Sequence, residues 1–206
     1  MNTNAHAAAR AALMRELLPA LLHDIGNTTQ RIVGVRALLD LDERSLLGAA
    51  GEDLAWASER AREQGWLMGL AAAGLGVDLL LERRWSEGLR ATVSLAASAL
   101  ARHGGVCRFA RAELPQLDPA ADGPGDSALC LGLAQVVIAA GLAKERQVLE
   151  LLGARRGAHF ALCGSAGAEG AQGAFELVRE ELGGRAVFER QSDAWSVLLP
   201  ASWFRS

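Results

Sequence analysis

A chain of 206 residues, half of them apolar, can bury one ordinary domain or two small ones, which excludes a disordered chain. Its 21 basic and 24 acidic residues leave a net charge of -3, the wrong sign for a binder of phosphate backbones, so nucleic acid is not an expected partner. Cys107, Cys130 and Cys163 form no CxxC pair and are odd in number, and with four scattered histidines they give no metal-ligand spacing; reduced thiols and no metal are expected.

At the start of the chain, Arg10, Arg15 and Glu16 stand where a signal peptide needs its apolar stretch, so a cytoplasmic protein is expected. From Ala7 to Leu39 there is no turn cluster, and Leu17, Leu21, Ile25, Thr28, Ile32, Val35 and Leu39 recur at helical spacing. This predicts one long amphipathic helix, with a kink at Pro19 one turn before His23. After a break at 40–43, Ser45 is an N-cap for a second helix, in which Leu47, Leu54, Ala61 and Met68 recur every seven residues with Ala50, Ala57 and Ala71 between them. Residues 7–74 therefore form a helical hairpin. A hairpin alone has too little to bury, and the simplest cover is a second copy of the chain, giving a four-helix bundle and a homodimer. The alternative is that the C-terminal half covers it within one chain.

After Gly74 and Gly76 the pattern changes, and residues 77–206 read as an α/β domain, which makes the fold class α+β. Trp85 to Arg102 is helical, Gly105 to Ala110 strand-like, Gln116 to Asp126 a loop and Ala128 to Ala143 a buried helix. That last run is broken by Gln135 and falls short of the ~20 residues that span a bilayer, so no membrane is expected. Val148 to Leu152 and His159 to Cys163 are strands, Gly170 to Leu182 contains a helix stopped at Gly183 and Gly184, and Arg185 to Arg190 pairs with Trp195 to Leu199 around Ser192 and Asp193.

The segment LLHDIGNTTQRI carries the chemistry. At 100° per residue, Leu17, Leu21, Ile25, Thr28, Ile32 and Leu39 lie roughly 120 to 200° from His23, which should face solvent. Glu16, Asn27, Gln30 and Gly34 fall within about 40° of it, a polar, small-residue face open to a partner. Asp24 points about 100° away, which still permits a hydrogen bond that fixes the imidazole tautomer. An exposed neutral imidazole is a competent nucleophile toward an acyl phosphate.

His23, Asp24 and Asn27 together resemble the dimerisation and histidine-phosphotransfer region of two-component histidine kinases, where a histidine is followed by an acidic residue and, four positions after the histidine, by Asn or Thr. WSEGLRATVSLAASALARHGGVCRFARAELP, DSALCLGLAQVVIAAGLAKE and ELGGRAVFERQSDAWSVLLP are similar, in order, to the opening helix and strand, the asparagine-bearing helix and the closing strands of that family's catalytic, ATP-binding domain. The resemblance implies a degenerate catalytic-like α/β sandwich after the hairpin. The family's magnesium-holding asparagine is missing, since the only asparagines are Asn2, Asn4 and Asn27. No aspartate lies between Asp126 and Asp193 to receive adenine. Glycines in FALCGSAGAEGAQGAFELV read as tight turns rather than a phosphate cradle.

The resemblance therefore implies a dimeric histidine phosphotransferase without ATP-dependent kinase activity, and no cofactor of its own. His23 would attack a receiver domain's aspartyl phosphate, with Mg2+ supplied by the receiver. Asp24 would orient His23, and Gly26, Gln30, Arg31 and Gly34 would help form the docking face. Partners would be response-regulator receiver domains, among them those of a hybrid histidine kinase. Asn27 keeps a response-regulator phosphatase as an alternative, because the family uses that position to place a water. A non-catalytic adaptor, anchored by tryptophans such as Trp56, Trp66, Trp85, Trp195 or Trp203, is a third reading, and residual ATP binding a fourth.

Overall fold

The structure, a computed structural model, describes residues 3–40, 47–77, 88–109, 126–143 and 148–204. Two helices come first, α1 (Thr3–Asp40), which runs without interruption through Pro19, and α2 (Leu47–Gly74). They are followed by α3 (Gly88–Ala101), β1 (Val106–Phe109), α4 (Asp126–Leu142), β2 (Val148–Arg156), β3 (His159–Gly164), α5 (Ala168–Val178), β4 (Val187–Gln191), β5 (Ala194–Pro200) and a short 3-10 turn at Ala201–Trp203. The expected break at 40–43 with its N-cap at Ser45, the Gln116 to Asp126 loop and Trp85 fall wholly or mainly outside the described residues.

The five strands form one mixed sheet in the order β1-β2-β3-β5-β4, with β1 and β2 parallel and every other pair antiparallel. A parallel pair needs a crossover, and α4 provides it. β4 and β5 form the expected hairpin, with Gln191 opposite Ala194 and a two-residue turn at Ser192 and Asp193. Ser192 holds φ at 60, as the first residue of a type II′ turn must. Along β2, exposed and buried residues alternate from Val148 to Gly153, so one sheet face packs under the helices and the other stays open. α4 lies between α3 and α5 on the covered face.

The chain is thus α+β, with five α-helices and a mixed five-stranded sheet among the described residues. One hydrophobic cluster joins Leu13, Met14, Leu17 and Leu21 of α1 and Trp66, Leu67 and Leu70 of α2 to α3, α4 and the sheet. The base of the hairpin is therefore covered within the chain. Gly74 sits under the Met14 side chain and Gly88 under the Trp66 ring, where a Cβ would lie 2.6 and 2.5 Å from the nearest atom.

Along the hairpin, the face of α2 turned to α1 is the row Ala50, Ala57, Gln64 and Ala71, all buried. The larger row behaves differently. Leu54 is 44% exposed and Met68 55%, and on α1 Leu22, Ile32 and Val33 are exposed as well. Ile32, expected on the inward stripe with Leu17, Leu21, Thr28 and Val35, is 43% exposed in the single chain.

Burial also pushes the Cys107 thiol on β1 up to about 11 from 9.0. The folded chain then keeps a proton that the unfolded chain releases, so this group makes stability fall as pH rises through 9 toward 11. Urea titrations at pH 8 and pH 10.5 should show a larger loss for the wild type than for Cys107→Ala, and an equal loss would contradict the burial of this thiol.

Candidate functional site

His23 lies in the second half of α1, and it is exposed. Leu21 before it and Thr28 after it are buried, which fixes the rotation of the helix and turns the imidazole outward. Gly26, Asn27, Gln30, Arg31 and Gly34 are exposed too. A Cβ placed on Gly26 or Gly34 would meet nothing within 4 Å, so the surface beside His23 is shallow and open. Glu16, placed by its phase on the same face, is committed elsewhere, its carboxylate 2.6 Å from His103 Nε2.

The imidazole's neighbour is Asn27, whose Nδ2 stands 3.3 Å from His23 Nε2. One helical turn separates the two residues, so their side chains stack along one face. Asp24, expected from the sequence to orient His23, makes no hydrogen bond to the ring. Both of its oxygens are taken by α2, with Arg60 Nη2 donating to Oδ1 at 3.0 Å and Gln64 Nε2 to Oδ2 at 2.8 Å. Adjacent residues on a helix diverge, and the facing helix supplies the better partners.

Gln64 is 5% exposed and also donates to Thr28 Oγ1 at 2.7 Å, while that hydroxyl donates to the Asp24 carbonyl at 3.2 Å. Leaving such a buried amide without partners costs about 1–3 kcal/mol, so these four groups act as a latch between the helices. Burial alone would lower the Arg60 guanidinium's pKa, but its hydrogen bond to Asp24 and the nearby Glu63 raise it. Arg60 therefore remains cationic beside the site.

Arg31 also reaches α2. Its guanidinium lies 4.1 Å from the Trp56 ring centre, and its Nε is 3.3 Å from Asp53 Oδ1. Trp56 is 38% exposed, whereas Trp66, Trp195 and Trp203 are buried. The exposed face of α1 beside His23 thus continues onto α2 through Arg31. Sequence reasoning passed over Arg60 and Gln64, although a polar Gln64 in the alanine row was a readable signal of an inter-helix contact.

The glycine-rich stretch after β3 serves packing. Gly164 lies under the Trp195 ring, and Gly167 and Gly170 bring α5 against the backbone of Ala139 and Ala140 in α4, where a Cβ would stand 2.0 to 2.4 Å from a carbonyl oxygen. Among the described residues, no group of three His, Cys, Asp or Glu is placed to hold a metal, and no helix is long and apolar enough to cross a membrane.

No family model and no curated protein matches the chain. Among solved structures, the histidine kinase AdeS of Acinetobacter baumannii superposes on 86% of this chain and 94% of its own at 12% identity and a TM-score of 0.38. A bacterial phosphotransferase superposes on 91% of this chain and 96% of its own at 12% identity and a TM-score of 0.35. Both superpositions are loose. The chemistry of the site rests on its own residues.

Proposed function

We propose that this chain is a histidine phosphotransferase of two-component signalling, in which His23 accepts a phosphoryl group from the aspartyl phosphate of one receiver domain and returns it to another. The observation that carries the reading is the exposed imidazole on an open face of Gly26, Asn27, Gln30 and Gly34, held outward by buried Leu21 and Thr28. Phosphoryl transfer asks mainly for positioning and charge stabilisation, and a receiver carrying its own Mg2+ supplies the latter. An adequate nucleophile with room for a docked domain is what remains for this chain to provide.

A kinase role is not part of the proposal. The helix that carries the magnesium-binding asparagine in the resembled family has none here, and α5 closes on it through Gly167 and Gly170. Asn27 beside His23 favours one second reading, a receiver phosphatase in which the amide places the attacking water.

The assembly we propose is a homodimer through the upper hairpin, in a cytoplasmic setting. Leu22 and Val33 on α1 and Leu54 and Met68 on α2 are large, apolar and exposed, as one half of a bundle core is before its partner arrives. Leu54→Glu combined with Met68→Glu should convert a dimer to a monomer in sedimentation velocity while leaving the helical circular dichroism in place. A wild type that sediments as a monomer at tens of micromolar would remove the dimer from the proposal.

The relay itself is tested by mixing the protein with one labelled phospho-receiver and a second, unlabelled receiver. Label should pass to the second receiver only when the protein is present. Release of label as free phosphate without transfer would replace the relay by the phosphatase reading, and no change in either receiver would refute both.

A further inference from the structure

We infer that Asn27 is the positioning residue that sets the tautomer of His23, holding the proton on Nδ1 and leaving Nε2 as the phosphoryl-accepting atom, while Asp24 takes no proton in the reaction. This inference rests on the phosphotransfer reading above and deepens it.

An amide nitrogen can only donate, so the 3.3 Å contact between Asn27 Nδ2 and His23 Nε2 is a hydrogen bond only when Nε2 carries no proton. The remaining proton of the neutral ring is then on Nδ1. The carboxylate next in sequence does not compete for this choice, because its hydrogen bonds go to Arg60 and buried Gln64 and none goes to the ring. The side chain of a free histidine in water favours the proton on Nε2, so the contact inverts the ring's own preference.

The consequence is a transfer step that needs no base. As the receiver's acyl phosphate approaches, the Asn27 amide gives up its exposed contact, and the Nε2 lone pair forms the N–P bond. The acyl O–P bond breaks, and its electron pair leaves with the receiver's carboxylate. The Nδ1 proton stays where it is, so the product is a phosphohistidine cation and no proton changes hands. Return to a second receiver reverses each of these changes. A carboxylate poised to accept a proton would have no task in this sequence, which accounts for the use of Asp24 as a latch between α1 and α2.

The test is the pair of imidazole 15N shifts of His23 in the full chain, recorded with labelled histidine at a pH where the ring is neutral and assigned by comparison with His23→Gln. The wild type and Asp24→Asn should both show a protonated Nδ1 and an unprotonated Nε2. Asn27→Ala should shift the majority to protonated Nε2, and Asn27→Asp further, since its carboxylate accepts from that nitrogen. Labelling of His23 by phosphoramidate, a donor that needs no receiver, should slow on the order of 5-fold in Asn27→Ala as the reactive tautomer is depleted. A wild type with Nε2 protonated, or a tautomer that follows Asp24→Asn instead of Asn27→Ala, overturns the inference. Because the shifts are read without any phosphoryl donor, they stand or fall separately from the relay.

Discussion

Gly167→Ala should destabilise the chain by about 4 kcal/mol in urea denaturation. Gly167 precedes the first turn of α5 at φ 75, and an L side chain in that left-handed conformation costs about 1–2 kcal/mol. The added Cβ would also stand 2.0 Å from the Ala140 carbonyl oxygen, a backbone atom of α4 that has no rotamer to change. Overpacking of this kind costs about 1–3 kcal/mol. Against a typical domain stability of about 5–15 kcal/mol the loss is severe. Gly173→Ala, on the same helix but exposed and with nothing within 4 Å of the new atom, should instead gain up to about 1 kcal/mol. If both alanines behaved alike, the close approach of α4 and α5 would be wrong, and with it the closure of the space between those helices.

His23→Ala should abolish the relay between receivers, a loss on the order of 10³-fold or more, because exposed Gly26, Asn27, Gln30 and Gly34 beside it offer no nucleophile. Its effect on stability should stay within about 0.5 kcal/mol, since the ring is exposed and the packing of α1 does not use it. The combination separates chemistry from folding. It also separates the two catalytic readings. A phosphatase that places water through Asn27 would keep much of its activity in His23→Ala and lose it in Asn27→Ala, whereas a relay loses everything with the histidine.

The course of the chain was largely legible in the sequence. Helical spacing from Leu17 to Val35 announced α1, the seven-residue interval announced α2, and short apolar runs bounded by Gly and Asp announced the strands and the β4–β5 hairpin, because each of these signals is local. The outward setting of His23 followed from the same phase.

What the phase of one helix cannot contain is its partner's side chains. Adjacency in sequence points Asp24 to the ring beside it, yet Arg60 and Gln64, 36 and 40 residues further on, hold its carboxylate. The two seven-residue rows of α2 are only about 60° apart on the helix. Which of them turned inward depended on how closely α1 approaches, and the alanine row won. The cover that α3 and α4 give to the base of the hairpin was likewise a choice between two buried arrangements that use the same apolar residues.

Phosphorylation of His23 itself is the event on which the proposed relay depends. Wild-type protein should be mixed with phosphorylated receiver domains from its own source, quenched in alkali, digested and sequenced by tandem mass spectrometry. The account expects an acid-labile, base-stable phosphate on the peptide containing LLHDIGNTTQR, on the His23 ring, and none on the other three histidines. Receivers that keep or lose their phosphate while His23 stays unmodified throughout would contradict it.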